Sequence, residues 1–523
     1  MKIYDVIIIG GGPTGIALGI ELGLHNISTL ILEKYPAPLL SPRAQYINAR
    51  SMEFFMRWGL DDELKASQIS SEEFPNQAVW CSKLNGNTYA VSSSNDQLND
   101  DLSPQRSVRL PLWVTEGILR DKLQTFPSVS FLKEYEVINI GLEQDHLIIS
   151  AKNNSQTINY KATYVVACDG ANSITRRQAG IDFKNLTPAK RVISVVFETT
   201  DLKKHISVTK GCLFYLLESP ISSAIGSINP SHGLWYAQII YDGDAETIDE
   251  IDIDQLMNEL TGCTFSKKII NTHFWDMHIQ LAEKFSYENR IFLVGDSAHA
   301  FVPAGAFGLN TGFGDVVNLG WKLAAVIKKQ AQPNLLETYE MERLPVCLRN
   351  LEAAQQNADD MTALRKKYNP RDNLEEFAKA NIILAKQFTR TLGLTMGYAY
   401  FNSPLTHLFD GQSIAPMLKI TYQPIAAPGY FLPHIWVSNK QSIYSVLSAI
   451  NWTLIVSADN CADLIQAWQN KFNQNLSNLK ILILEKNSYS CKYILVRPDW
   501  HIAYISDELD ESYFELCLSN FTK

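Results

Sequence analysis

The chain lacks the features that would mark several large classes of protein. Its eight cysteines (Cys81, Cys168, Cys212, Cys263, Cys347, Cys461, Cys491 and Cys517) are scattered, and no two stand as CxxC. That spacing argues against a zinc or iron–sulfur site and leaves free thiols in a reducing compartment. Basic residues are outnumbered, 46 against 55, for a net charge of −9. With no basic stripe to release counterions, a nucleic-acid partner is not expected. No apolar run reaches the length of about 18 residues that a membrane-spanning helix needs. The apolar opening is broken by Asp5 and runs into glycines, so it reads as a strand and not a signal peptide. A soluble cytoplasmic protein is the expectation.

What is present begins at the N-terminus. Val6 to Ile9 are apolar without interruption, as a central parallel strand covered on both faces must be. Gly10-Gly11-Gly12-Pro13-Thr14-Gly15 follows, then an amphipathic stretch, then Thr29 to Glu33. In this order of strand, glycine turn, helix, strand and acidic tip, each part has a task in holding a dinucleotide. Gly10 permits a tight turn, Gly12 lets a pyrophosphate approach the backbone, and Gly15 lets the helix pack close. The helix N-terminus presents unpaired N–H groups to the phosphates. Glu33 is placed to accept from the hydroxyls of an adenosine ribose, which favours FAD or NAD over NADP. A glycine turn alone is a weak signal; here strand, helix and acid accompany it.

Arg43, in Ser41-Pro42-Arg43-Ala44, has two readings: a partner for the pyrophosphate, or an ordinary surface arginine. A helix is expected over Asn48–Leu60 and another over Val114–Leu123. Residues 70–105 are polar and read as strand-poor. After a buried strand, Tyr164 to Cys168, comes Asp169-Gly170-Ala171-Asn172-Ser173-Ile174-Thr175-Arg176, a DGxxSxxR pattern. Asp169 and Ser173 could serve there simply as caps. Residues 190–285 read as an inserted antiparallel sheet rich in aromatics, including Tyr215, Trp235 and Tyr236. Such a face serves as plain core or as a binding wall, and the sequence alone does not choose. A third motif runs from Arg290 through Gly295-Asp296-Ser297-Ala298-His299 to a loop, Pro303–Gly312, with a helix beginning near Gly312. Asp296 is placed for a ribityl hydroxyl, and the loop for the pyrimidine edge of a flavin, where negative charge develops on reduction.

These three motifs, in this order, resemble the class A flavoprotein monooxygenases of the para-hydroxybenzoate hydroxylase type. The resemblance runs from GGGPTGIALGIELG through SPRAQYINARSMEFF and CDGANSITRR to GDSAHAFVPAGAFGLNTGFGDVVNLGWKLA and LLETYEMERLP, over about residues 1–350. Beyond it, GYAYFNSP, PGYFLPH and LVRPDW are similar to the phenol and polyketide hydroxylase branch with a C-terminal thioredoxin-like domain. The implied fold is α/β. A Rossmann-like FAD-binding domain of the GR2 type takes residues 1–185 and 286–405, with part of 70–110 on the substrate side. An inserted antiparallel β-sheet substrate domain takes 186–285, and a thioredoxin-like domain 410–523.

By the same resemblance FAD is held by Gly10, Gly12, Pro13, Thr14, Gly15, Glu33, Lys34, Arg43, Arg109, Asp169, Gly170, Gly295, Asp296, Pro303, Gly308, Leu309 and Asn310. NADPH or NADH is the implied transient donor, since no second GxGxxG unit exists. The implied reaction is transfer of one oxygen atom of O2, through a flavin C4a-hydroperoxide, to a phenolic or polycyclic polyketide-like aromatic substrate. Pro303, Tyr215 and Trp235 are the flavin-adjacent candidates for catalytic roles; no substrate base is identifiable. A flavin-dependent halogenase or reductase, or a non-catalytic flavin-binding partner protein, are the alternatives, and no WxWxIP run supports the halogenase. A homodimer stays open.

Three departures stand out. Leu112 follows Pro111 where relatives often have a glutamine, Gly305-Ala306 replaces paired glycines, and Phe431 stands where an arginine is common. The first two bear on details of the flavin pocket. The third is expected to affect only the last domain, which lacks CxxC and so is expected to do no thiol redox chemistry.

Overall fold

The computed structural model describes residues 2–38, 44–68, 72, 74–93, 98–154, 156–218, 223–229, 232–368, 372–406, 420–438, 440–457, 479–485 and 488–508. It is an α/β protein built on three main sheets.

The first sheet grows outward from the apolar opening strand, Ile3–Ile9. It pairs in parallel with Thr29–Glu33 on one side and with the second half of Gln156–Ala167 on the other. Val129–Lys133 and Ile291–Leu293 extend it, again in parallel. Val6, Ile7 and Ile8 are fully buried, as the uninterrupted apolar run requires. The first half of Gln156–Ala167 turns antiparallel and carries the hairpin Glu136–Leu142 and Leu147–Asn153. Helix Pro13–Leu24 packs against helix Gly308–Ile327. The two come close because a Cβ at Gly320 would already stand 2.8 Å from Glu21 Cβ. This second helix begins at Gly308, one turn earlier than the glycine spacing suggests.

The second sheet has seven strands in the order Lys268–Met277, Lys190–Glu198, Leu234–Ile240, Ser223–Asn229, Leu213–Leu216, Ala78–Cys81 and Thr88–Ser92. The last two correct the strand-poor reading of residues 70–105. Ala78–Cys81 pairs antiparallel with Thr88–Ser92 and in parallel with Leu213–Leu216, more than 130 residues away, and its four residues are too few to show a period. One face of this sheet carries Ile193, Val195, Phe197, Phe214, Leu216, Ile225, Trp235, Ala237 and Ile239, packed on Met257 and Leu260 of helix Ile253–Thr261. Tyr215 and Tyr236 alternate onto the opposite face, as period-two geometry demands.

Trp80 and Tyr215 on that opposite face are covered by helices Glu337–Lys367 and Leu374–Thr389, through Met361, Leu364 and Phe377. A third sheet, in the C-terminal part, orders Leu479–Ile483, Trp452–Val456, Tyr493–Val496 and Ile502–Ser506, the first pair parallel and the others antiparallel. It docks on the first two helical layers through Trp452 against Trp321 and through Arg57, which donates to the Pro498 carbonyl and to both carboxylate oxygens of Glu21. No helix among the described residues is long and apolar enough to cross a membrane.

Candidate functional site

The three glycine motifs come together at the C-terminal ends of the parallel strands. Gly10 has φ +103°, and a Cβ there would lie 2.3 Å from the Cys168 carbonyl oxygen, so the turn closes directly against the strand that delivers Asp169. Gly15 allows an equally close approach, with 2.0 Å from a built Cβ to the Gly10 oxygen. By contrast a Cβ on Gly12 or Gly170 would meet nothing within 4 Å. Open space therefore stands over both turns, beside the first N–H groups of helix Pro13–Leu24, which has Gly12 as N-cap and no side chain capping it. That is a cradle for a phosphate. Thr14 sits at the hub: Cβ positions built on Gly295 and Gly312 fall 3.1 and 2.7 Å from its Cγ2.

Glu33 is buried at the end of its strand, and its two oxygens accept from Gly11 N at 2.6 Å and Tyr35 N at 2.7 Å. Each oxygen keeps a second lone pair for a hydroxyl. Lys34 is exposed, with Nζ 4.8 Å from the centre of the Tyr35 ring. Arg43 lies outside the described residues. Asp169 does act as a local cap: one oxygen accepts from Thr175 N and Oγ1, at 3.1 and 3.0 Å. Its other oxygen is buried with no hydrogen-bond partner in the protein. Ser173 caps the next turn at Arg176 N.

The third motif is held from behind. Asp315 accepts from Gly295 N at 3.1 Å, contacts His299 Nε2 at 2.6 Å and accepts from Arg343 Nε at 2.8 Å. Burial works against a charged His299, but Cys347 and the Asp315 carboxylate beside it hold the imidazole well above its ordinary range. His299, Asp315 and Cys347 could together be read as a metal cluster. The Arg343 guanidinium already neutralises Asp315 there, and the donor set is that of a hydrogen-bonded ion network. The network carries Gly295, Asp296 and the loop beyond. Asp296 and Pro303 are exposed. Asn310 staples the loop: it accepts from Asn48 N at 3.0 Å and donates to the carbonyls of Tyr46 and Ala306 at 3.0 and 2.8 Å. Ala306 occupies the left-handed region at φ +57°, where relatives' second glycine would be unstrained.

Beside these turns, at the seam with the seven-stranded sheet, lies a small cleft, with room for about one water, lined by Gln45, Asn76, Arg109, Leu110, Pro111 and Cys212, with Ser227 and Ile228. Arg109 reaches across it. Its Nε and Nη2 donate to Gln45 Oε1 at 3.1 and 2.8 Å, Nη1 to Cys212 Sγ at 3.0 Å, and Nη2 to Tyr236 Oη at 3.4 Å. Burial pushes the Tyr236 hydroxyl up in pKa, against the downward pull of Arg109. Tyr215 shares the Tyr236 face but stacks on Trp80 at 5.0 Å, and burial raises its pKa as well.

Trp235 is not at the cleft. It is 2% exposed on the opposite face, edge-on to Phe74 at 5.4 Å, and is core. Leu112 is buried at the start of helix Leu112–Leu123. Phe431 corrects a second expectation. Its ring lies 3.5 Å beneath the Arg50 guanidinium and touches Phe54, so it joins the C-terminal part to the first. Gln45, Cys212, Asp315 and Arg343 were given no role from sequence. Gln45 lies inside SPRAQ and Asp315 inside GFGDVV, so the motifs contained them without showing what they touch.

Comparison with known proteins gives a family for this arrangement. The FAD binding domain family model matches residues 3–354. The 2,4-dichlorophenol 6-monooxygenase of Delftia acidovorans is 28% identical over 376 residues, which cover 68% of this chain and 63% of that protein, less than two thirds of its length. The enzyme of the same name from Cupriavidus pinatubonensis is 24% identical, with 97% of this chain and 93% of that one aligned. Among solved structures, the rebeccamycin biosynthetic enzyme RebC with reduced flavin superposes with a TM-score of 0.86 at 25% identity, covering 99% of each chain.

Proposed function

Since the chain belongs to the FAD-binding domain family across residues 3–354, we propose that it is an FAD-dependent monooxygenase that uses NADPH or NADH and O2 to hydroxylate an aromatic substrate. The observation that carries the reading is the convergence of three glycine turns around Thr14, next to a cleft whose far wall is the seven-stranded sheet. When bound, FAD supplies the redox chemistry, taking electrons from the nicotinamide and activating O2.

The chain's own residues bind and position. Gly10, Gly12, Pro13, Thr14 and Gly15 offer the pyrophosphate an open backbone and a helix N-terminus, and the second lone pairs of Glu33 take the adenosine ribose hydroxyls. Asp169 and Gly170 would hold the pyrophosphate, and Gly295 and Asp296 the ribityl chain. The N–H groups of Gly308, Leu309 and Asn310, with Pro303, would hold the flavin end of the cofactor, and Lys34 would add an outer contact; Arg43, outside the described residues, is assigned to the cofactor on the sequence alone. Arg109 and Tyr236 stand at the boundary of cofactor and substrate. The aromatic substrate, phenolic or polycyclic, lies on the Tyr236 side of the seven-stranded sheet, where the sheet excludes water from the reaction. The C-terminal part, read as thioredoxin-like, serves structure or assembly, and the protein works in the cytoplasm.

The test is the visible spectrum of the purified protein, followed anaerobically after addition of NADPH or NADH, with and without phenols and polycyclic polyketides. Flavin bound to the protein, and reduction accelerated by one compound, is the expected result. A protein that takes up no FAD would overturn the reading. Flavin reduction without any oxygenated product in air would overturn the hydroxylase assignment while leaving the flavoprotein.

A further inference from the structure

Arg343 lies behind the backbone assigned to the flavin and grips two parts of it at once. Its Nε donates to Asp315 Oδ1 at 2.8 Å, and its Nη2 to the Thr311 carbonyl at 3.0 Å, in the first turn of helix Gly308–Ile327. Asp315 in turn accepts from Gly295 N at 3.1 Å. One guanidinium therefore ties the Gly295 turn to the start of that helix, although it comes from a third element, helix Glu337–Lys367. The chain leaves room for it: a Cβ built on Gly314 would lie 2.7 Å from Arg343 Nη2 and 3.1 Å from its Cζ, so the bare backbone there lets the fork lie flat across the helix.

The charges around it do not balance. Arg343 and the His299 imidazole share one carboxylate, Asp315, and all three side chains are buried. The other groups against Arg343 are the Tyr400 hydroxyl, at 3.3 Å, and the Tyr398 ring, and burial keeps both phenols neutral. Burial likewise keeps the Cys347 thiol beside Asp315 protonated. The neighbouring network sets Lys322 and Arg497 against Glu342 and Asp499, two cations to two anions. At Asp315 two cations meet one anion. An unanswered buried charge is costly, and this one stands by a helix N-terminus that is already positive. The surplus suits a place where negative charge arrives from outside the chain.

We infer that Arg343 is a positioning residue for the flavin: through Asp315 and Thr311 it fixes the Gly295 turn against the helix start, and its charge favours the reduced cofactor over the oxidised one. The inference rests on the FAD reading and deepens it, and it is independent of which aromatic compound is the substrate. A hydride donor hands the flavin two electrons and one proton, so the ring gains one negative charge. A cation fixed behind the site in a dry interior stabilises that state and needs no rearrangement to do so. The pyrophosphate has a helix N-terminus of its own, at Pro13–Leu24, which leaves the flavin end as the group this charge answers.

The test uses the full chain loaded with FAD, reading the dissociation constant of oxidised FAD and the flavin midpoint potential against a reference dye. Arg343→Gln keeps a donor for Asp315 and loses the charge. It should bind reduced FAD about tenfold worse relative to oxidised FAD, which for a two-electron couple is a fall of about 30 mV in potential. Arg343→Lys keeps the charge and loses the fork, so it should bind oxidised FAD several-fold more weakly while holding the wild-type potential. His299→Gln removes the other cation but keeps a donor to Asp315. Its potential should fall as well, which covers the case in which Arg343→Gln does not fold. An unchanged potential in both glutamine variants, with oxidised and reduced FAD weakened alike, would overturn the inference and give the charge to the pyrophosphate. An equal fall in Arg343→Lys would overturn it too, because placement alone would then set the potential. A wild type that takes up no FAD would instead bring down the flavoprotein reading beneath it.

Discussion

His25 illustrates how much a single burial decides. It closes helix Pro13–Leu24, with Nε2 buried and unpartnered. Burial first, then the nearby Arg57 and Lys328 cations, push its pKa from 6.5 down to about 3. The folded protein therefore holds the imidazole neutral, while the unfolded chain takes up a proton below about 6.5. The stability this provides is full above that pH and is lost as the pH falls toward 3, at about 1.4 kcal/mol per pH unit within the window. In urea unfolding at pH 6.5, 5.5 and 4.5, His25→Leu should lose stability less steeply than wild type. Parallel curves for the two proteins would show that His25 does not contribute. At the same scale Gly15→Ala would bring a Cβ to 2.0 Å from the Gly10 oxygen. Backbone atoms cannot step aside as a flexible side chain would, so this variant should lose bound FAD, measured as absorbance per chain, with destabilisation of at least about 1–3 kcal/mol. The glycines could be read from sequence because a tight turn is a property of the local chain. Arg109 could not be read in the same way: its meaning lies in Gln45, Cys212 and Tyr236, up to 127 residues distant.

At the scale of elements the sheet of aromatics was visible and its sidedness was not. Successive residues of a strand face opposite ways, so Trp235 and Tyr236 differ entirely in surroundings while being neighbours in sequence. Nothing local says which face meets the core, because both faces of Leu234–Ile240 are built from large side chains. The pairing settles it by placing Trp235 opposite Phe197 and Tyr236 opposite Val196. Two variants separate the faces. Trp235→Ala should cost about 3–5 kcal/mol in urea unfolding, as a large truncation in a packed core. Tyr236→Phe should cost less than about 1.5 kcal/mol and leave the fold intact, while changing how the FAD-loaded protein binds phenols. Equal stability losses would mean the faces have been misassigned. Ala78–Cys81 escaped the reading for a different reason: at four residues it is too short to show a period, although it pairs with the nearby Thr88–Ser92 as well as with Leu213–Leu216.

For the whole molecule the question is what holds the C-terminal part in place. Arg497, in the turn after strand Tyr493–Val496, sends both terminal nitrogens to the Glu342 carboxylate at 2.6 and 2.8 Å and also binds Asp499. Lys322 reaches Glu342 at 2.6 Å from the long helix Gly308–Ile327. Two cations and two anions, all fully buried, thus join the helix whose N-terminus faces the proposed flavin to the C-terminal sheet. Burial raises both carboxyls, but the attached cations prevail. They hold Glu342 at about 2 and Asp499 well below the ordinary carboxylate range. Such a network earns little net stability against an apolar replacement, yet breaking its balance is costly. Arg497→Met leaves one negative charge in excess and should destabilise the full chain by about 3–5 kcal/mol in urea. Adding Asp499→Asn to that change restores the balance of Lys322 against Glu342, so the double variant should recover a large part of the loss despite having fewer contacts. A double variant no better than the single would mean that lost hydrogen bonds, and not the unanswered charge, set the cost.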